Sequence, residues 1–150
     1  MKIRTEISDI DEIVIRCREN NDRIKNMRAT IEAALRCGSE MALYIDGTEY
    51  LVSKNDILFF ESSAGKVFAH TANRMYTAPH KLFELEESMP SSFIRVSKSV
   101  IVNVMNVASL KRELVGNGEL TFRGSDKKTY FSRTYYKLLQ YKIDEMRLKK

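Results

Sequence analysis

Residues 42–71 read ALYIDGTEYLVSKNDILFFESSAGKVFAHT, a series of short apolar and β-branched runs separated by turn residues. Asp46-Gly47 is a strong β-hairpin signal, because both residues readily adopt the positive φ that a two-residue hairpin turn requires. Ser63-Ala64-Gly65 marks a second turn. The segment therefore predicts two hairpins, with strands at Ala42–Ile45, Glu49–Ser53, Ile57–Glu61 and Val67–Thr71.

The same spacing of short runs and turns continues towards the C-terminus. It predicts further strands at Arg74–Thr77, Phe93–Val96, Val107–Leu114, Glu119–Phe122 and Lys128–Phe131. Two helices interrupt or follow them, one at His80–Ser88 that stops before Pro90 and one from Thr134 to Arg147. Strands that recur every ~8–12 residues favour a mainly β, antiparallel fold with flanking helices over a series of βαβ units.

The N-terminal residues follow a different pattern. Lys2–Ile7 and Ile13–Cys17 predict two strands, and a three- and four-residue apolar period predicts an amphipathic helix from Asp22 to about Gly38. This β-β-α extension is too small to hold a core of its own. We therefore expect an extension at residues 1–40 and a β domain at residues 41–150.

Positive charge is concentrated in the last sixty residues. Residues 91–150 contain thirteen Lys or Arg against five Asp or Glu, whereas the whole chain has a net charge of +5. A local cationic field favours a nucleic-acid partner, because each phosphate that it neutralises releases condensed counterions. No apolar run approaches the ~20 residues that span a bilayer. The start lacks the apolar region of a signal peptide, so we expect a cytoplasmic protein without membrane insertion.

The sequence offers little that favours an enzyme. Ser62–Lys66 resembles a phosphate-binding loop but lacks its first glycine and the hydroxyl after the lysine, so a hairpin turn is the better interpretation. His70 and His80 have no Cys near them in sequence, and Cys17 and Cys37 form no metal-ligand pattern. We expect a non-enzymatic protein without cofactor or metal.

Two short segments combine cations and hydroxyl groups at the ends of strands. Ser97-Lys98-Ser99 and Ser132-Arg133-Thr134 each place one cation between two hydroxyls directly after a predicted strand. Hydroxyls and backbone amides can hold phosphates, while Lys or Arg can reach base edges in the major groove. Each motif alone is weak, because Ser-rich loops with one cation are common, but the two loops together could contact one DNA duplex.

Five segments together carry a more specific signal than any of them does alone. They are Asp56–Glu61, Val67–Thr71, Leu82–Glu87, Phe93–Asn103 and Tyr130–Lys137. In this order and spacing, between about Met41 and Tyr141, the chain resembles the LytTR DNA-binding domain family. The resemblance implies an elongated fold of about ten short antiparallel strands in three small sheets.

The resemblance also implies how DNA is bound. Loops, and not a recognition helix, would enter two successive major grooves, with the intervening loop over the minor groove. The matching positions that would read bases are Lys66, Lys98 and Arg133, and Ser99 and Ser132 would anchor phosphates, with Ser97 and Lys137 as further contacts. The family often has His-Arg-Ser where this chain has Ser97-Lys98-Ser99, and lysine keeps the charge but lacks the guanidinium fork.

These observations predict a bacterial, sequence-specific transcriptional regulator that binds promoter DNA as a homodimer. Many relatives carry an N-terminal receiver domain, and ~40 residues are too few for one, so we expect control without phosphorylation, through protein level or an unidentified regulatory protein partner. Two alternatives stay open: a protein-interaction module whose basic end only aids solubility, and an RNA-binding protein. A-form RNA hides its major groove, which disfavours the second.

Overall fold

A computed structural model describes residues 12–114 and 117–148, including their side chains except those of 34–38 and 147–148. The chain divides into two compact units between Gly38 and Ser39. The elements of the described residues are α1 Asp22–Ser39, β1 Glu40–Ile45, β2 Thr48–Ser53, β3 Phe59–Ser63, β4 Lys66–His70, β5 Met75–Ala78, α2 Leu82–Ser88, β6 Phe93–Ser97, β7 Val100–Asn103, β8 Val107–Arg112, β9 Gly118–Phe122, β10 Lys128–Phe131 and α3 Tyr136–Leu148.

The N-terminal unit contains the predicted helix but not the strand before it. Helix α1 starts where the Asn21 side chain accepts a hydrogen bond from the Ile24 N–H at 3.2 Å. The prediction of a strand at Ile13–Cys17 is wrong, since these residues lie in no helix or strand. A strand needs a neighbour for its backbone groups, and no described residue pairs with this run. The predicted strand at Lys2–Ile7 falls outside the described residues.

Ten antiparallel strands form the second unit, and this confirms the mainly β fold. Seven of them make one sheet in the order β2-β1-β5-β4-β3-β7-β6, and three make another in the order β10-β9-β8. The implied division into three sheets is wrong. The β1–β2 hairpin joins the larger sheet through the pairing of Tyr44 with Thr77, so no separate third sheet remains among the described residues.

Both predicted hairpin turns of the opening segment form. Asp46 and Gly47 have φ values of 48° and 80°, and Ala64 and Gly65 have φ values of 50° and 78°. Positive φ at both central residues matches the twist of the flanking strands. Residues 62–66, which resemble a phosphate-binding loop in sequence, therefore form the predicted hairpin turn, between β3 and β4.

The middle of the larger sheet separates two hydrophobic cores. Phe60 and Ile101 belong to a core that also contains Leu85 of α2, whereas Phe59 and Val102 face a core shared with β9, β10 and α3. Strand β7 is buried at all four positions. Its sequence therefore lacks the alternation that marks a half-exposed strand, which is why the pattern of residues did not single it out.

Candidate nucleic-acid interface

The turn between β3 and β4 places Lys66 at one end of the larger sheet. Lys66 is the first residue of β4, pairs with Ser63 across the hairpin and is exposed. The tight turn at Ala64 and Gly65 directs the chain straight back, so the lysine stays beside the turn.

The turn between β6 and β7 lies beside the first one. It consists of Lys98 and Ser99, both exposed. The Ser62 N–H, on β3, donates a 2.8 Å hydrogen bond to the Ser99 carbonyl, which continues the β3–β7 pairing as far as the turn. Within the turn, the Ser99 N–H donates to the Ser97 hydroxyl at 3.3 Å.

The segment after β10 is attached to β6. The Ser132 N–H donates a 2.8 Å hydrogen bond to the Val96 carbonyl. Arg133 then begins a 3₁₀ turn, and its N–H donates to the Asn117 side chain at 3.3 Å. Asn117 lies just before β9, so the third loop is held from both sheets.

Backbone hydrogen bonds therefore place three loops in one row, although they are far apart in sequence. The row runs from the β3–β4 turn, through the β6–β7 turn, to the segment after β10. We name this surface the loop row and define it by Lys66, Ser97–Ser99 and Ser132–Arg133. The tertiary structure thus brings together all the predicted contact residues except Lys137, which lies in the first turn of α3.

The cations of the loop row, and Lys137 of α3, are free to meet a ligand. Lys66, Lys98, Arg133 and Lys137 are exposed, and within the described ranges their side chains have no ion-pair partner. Other cations of the C-terminal region are engaged: Lys128 pairs with Glu119 at 3.4 Å, and Lys142 with Glu145 at 3.4 Å. Such paired cations are partly neutralised, whereas the cations of the loop row have no such pairing within the described ranges.

Sequence reasoning missed an arginine that lies near the third loop. Arg112, at the end of β8, stacks its guanidinium 4.4 Å from the centre of the Tyr136 ring, and that ring stacks on Phe131. The stack gives the exposed Arg112 a preferred orientation without neutralising its charge. Neither the spacing nor the charge pattern marks it, because Arg112 and Tyr136 are far apart in the sequence.

The histidine that sequence reasoning assigned to structure, His70, is at the opposite end of β4 from Lys66. Its Nε2 lies 2.7 Å from a Glu61 carboxylate oxygen, its Nδ1 lies 3.4 Å from the Lys127 ammonium, and its ring stacks on Phe59. Both contacts are satisfied by the neutral ring protonated on Nε2. Burial lowers the pKa of His70, and it also lowers the pKa of Lys127.

Two features are absent from the part of the chain that the structure describes. None of its helices is long and apolar enough to cross a membrane. Across residues 12–114 and 117–148, no group of three or more His, Cys, Asp or Glu side chains is placed to hold a metal ion.

Comparison with known proteins identifies the family of this chain. Residues 47–144 match the family model of the LytTr DNA-binding domain. Over 100 residues the chain is 34% identical to a protein of Staphylococcus aureus (strain NCTC 8325 / PS 47) and 33% identical to one of strain MRSA252, covering 67% of each chain in both cases. Both relatives are named uncharacterized HTH-type transcriptional regulators.

A solved structure shares the fold. It is the LytTr DNA-binding domain of a Bacillus cereus protein described as a putative methyl-accepting/DNA response regulator, with a TM-score of 0.65 and 21% identity. The match covers 70% of this chain and 96% of that domain. In the chain described here, five strands separate α2 from α3, so the matched region is not built as a helix-turn-helix. The chain belongs to the LytTR DNA-binding domain family.

Proposed function

We propose that this protein is a sequence-specific, non-enzymatic regulator of transcription that binds double-stranded promoter DNA through the loop row. The observation that carries the proposal is the hydrogen-bonded row itself. It presents exposed cations without ion-pair partners in the described ranges, from three loops, on one surface of a domain whose family is DNA-binding. A duplex offers phosphates and base edges at regularly repeated positions.

Within the loop row, the residue types suggest two kinds of contact. Lys66, Lys98 and Arg133 are long enough to reach base edges, and in the major groove arginine can bind guanine through two hydrogen bonds. The two outer loops of the row would enter successive major grooves, and the middle loop, with Lys98, would lie over the minor groove between them. Lysine at position 98 has a compact charge and lacks the rigid planar donors of an arginine guanidinium, so we expect weaker discrimination between bases at this position.

Phosphate contacts are assigned to the hydroxyls and to one helix residue. Ser99 and Ser132 have hydroxyls beside the cations, and Lys137 is exposed in the first turn of α3. The Ser97 hydroxyl accepts the Ser99 N–H and keeps its own proton to donate to a phosphate oxygen. Such contacts would fix the register of the protein on the duplex without reading sequence.

The N-terminal helix supports a proposal about assembly. Ile24, Met27 and Ile31 form a half-buried apolar stripe on α1. We propose that this stripe pairs two copies of the chain, so that a homodimer in the bacterial cytoplasm binds two half-sites. Paired contacts would raise the effective concentration of the second domain once the first is bound.

Two rival functions make different predictions for the same measurements. A protein-interaction module would bind duplex DNA weakly and without sequence preference, and an RNA-binding protein would prefer an A-form duplex or a single strand. Only the proposed function requires that one DNA sequence be preferred over a shuffled sequence of equal composition.

The test uses duplexes selected by the protein itself. Wild-type protein enriches 40-bp DNA duplexes from a randomised pool, and fluorescence anisotropy then measures its affinity for the enriched duplex, a shuffled duplex and the matching RNA duplex. We expect preference for the enriched DNA and a steep fall in affinity with salt, because several phosphates are neutralised. Equal affinity for the enriched and shuffled DNA would exclude sequence-specific binding.

A further inference from the structure

Arg95 links the β6–β7 turn to helix α2. Its Nε lies 2.9 Å from a Glu86 carboxylate oxygen, and one of its terminal nitrogens donates a 2.6 Å hydrogen bond to the Lys98 carbonyl. Only 17% of the Arg95 side chain is exposed. Because the guanidinium holds its donors in one rigid plane, these two bonds together fix the Lys98 carbonyl relative to α2.

A bulge in β6 supports the same contacts. The pairing between β6 and β7 shifts register between Arg95 and Ser97, so Val96 is the extra residue. Bulges bend a strand and redirect its side chains, and they are frequent beside functional sites. Here the residue before the bulge holds the Lys98 carbonyl, and the bulged residue itself accepts the Ser132 N–H. Residues at this one bulge therefore make hydrogen bonds to two loops of the row.

We propose that Glu86 and Arg95 are positioning residues that set the direction of the Lys98 side chain for DNA contact. The inference rests on the proposed function of the loop row. Lys98 and Ser99 are the only two residues of the turn, so fixing one carbonyl fixes a peptide plane next to the Lys98 Cα. Neither positioning residue needs to touch DNA, and Glu86 acts only through Arg95.

A purely structural role would have a different signature. Glu86 is 47% exposed in its pair with Arg95, and ion pairs of that kind contribute little to folding. Loss of the pair should therefore leave the fold intact and weaken specific binding about three- to tenfold, the size expected for one lost hydrogen bond. Binding to an unrelated duplex, which needs charge more than geometry, should change little.

Helix α2 offers a matched control. Glu87 is the next residue, it is exposed, and its side chain has no partner among the residues that the structure describes. Glu86→Ala and Glu87→Ala remove the same charge from the same helix. The two variants therefore share any general electrostatic effect on DNA binding, and they differ in the contact to Arg95.

The experiment measures the ratio of affinities for the enriched and the shuffled 40-bp duplex in full-length protein. We expect Glu86→Ala to lower this ratio about three- to tenfold and Glu87→Ala to leave it unchanged. Arg95→Lys keeps the charge but loses the fork, so it should lower the ratio at least as much. The double variant Glu86→Ala/Arg95→Lys should be no worse than Arg95→Lys alone, since the two residues act as one unit.

Amide hydrogen exchange gives a readout that does not depend on DNA. Glu86→Ala should speed exchange at the Lys98–Ser99 turn while core strands keep their protection. Equal ratios for Glu86→Ala and Glu87→Ala, in a protein whose wild type prefers the enriched duplex, would overturn the positioning role alone. That role is also overturned if Glu86→Ala lowers both affinities equally together with the unfolding temperature. A wild type without any preference overturns the proposed function, and the inference with it.

Discussion

The backbone N–H of Ser132 lies 2.8 Å from the carbonyl oxygen of Val96, which joins the end of the three-stranded sheet to the edge strand β6 of the larger sheet. This bond sets the third loop of the row beside the second. The relationship between these two residues, which are distant in the sequence, is therefore what turns separate Ser-Lys and Ser-Arg segments into one surface.

Arg133→Ala should lower affinity for the enriched duplex by about 1–3 kcal/mol, the usual contribution of an arginine that contacts a base, and should leave the unfolding temperature unchanged. Arg123→Ala is the matched control. It removes the same guanidinium group from a distant position. Gly118, at the start of β9, pairs with Phe131 near Arg133, whereas Arg123 follows the opposite end of β9. Fluorescence anisotropy measures the affinity of both variants for the enriched duplex. A similar loss in the two variants would show that only overall charge matters.

Lys98→Ala should weaken binding with a larger change in salt dependence than Arg133→Ala shows. Lysine is a point charge without the guanidinium fork, so a larger share of its contribution than of the contribution of Arg133 is expected to be electrostatic. Binding is measured at several salt concentrations, and the slope of log affinity against log salt is compared between variants. Unchanged affinity in both variants would remove these residues from the interface.

Ile31→Lys should weaken binding to a duplex with two half-sites more than binding to a single half-site. The substitution places a charge in the apolar stripe of α1 that we propose joins two copies, so the avidity from linked contacts is lost. Ala29→Lys adds the same charge to an exposed position about 200° away around the helix axis. Sedimentation at tens of micromolar supplies the independent measurement, and a strictly monomeric wild type would contradict dimerisation through α1.

Gly118→Ala should destabilise the domain strongly. A Cβ at this position would overlap the Phe131 ring and lie 2.5 Å from the Lys111 carbonyl oxygen, and Phe131 is a buried residue of the second core. Overpacking of this kind typically costs about 1–3 kcal/mol or more. Gly47→Ala is the comparison: it meets no atom but has a φ of +80°, so its cost is limited to about 1 kcal/mol of backbone strain. Urea unfolding measures the free energy of unfolding of both variants. An equal loss of stability in the two would contradict the packing argument.

Stability should fall as the pH drops below the ordinary histidine pKa of 6.5, because of His70. Burial lowers its pKa in the folded state, so the unfolded chain takes up the proton first and acid favours unfolding. The stabilising contribution is complete above the ordinary pKa and is lost towards the lower folded pKa. His70→Gln, which keeps a donor for Glu61, should flatten this dependence between about pH 5 and 7. His80→Gln, a substitution at an exposed position, is the control variant.

Those pH measurements use urea unfolding at each pH, with the wild type and both histidine variants in parallel. Glu61 and Lys127 face His70 and shift its pKa in opposite directions, Glu61 upwards and Lys127 downwards. A pH dependence that persists in His70→Gln would assign the effect to other groups.

Local sequence patterns were sufficient to predict the class of fold and most of its strands. Asp46-Gly47 and Ala64-Gly65 specify their hairpins locally, because positive φ at both turn residues admits few other structures. The helix α1 follows from its apolar period in the same way, and the predicted C-terminal helix Thr134–Arg147 is observed as α3, which starts two residues later. The residue types of the loops made contact with DNA a hypothesis, and a weak one for each loop alone, because hydroxyls and cations at strand ends can hold phosphates.

The assembly of those elements depends on the tertiary structure. Strand β7 is buried on both faces and shows no alternation, so only its pairing with β3 and β6 reveals it. The run Ile13–Cys17 has strand composition but no described partner, and backbone hydrogen bonds cannot form without one. The contacts Ser62–Ser99 and Ser132–Val96 depend on strand order and on the bulge in β6. These are long-range properties of the backbone, which local patterns of side chains do not encode.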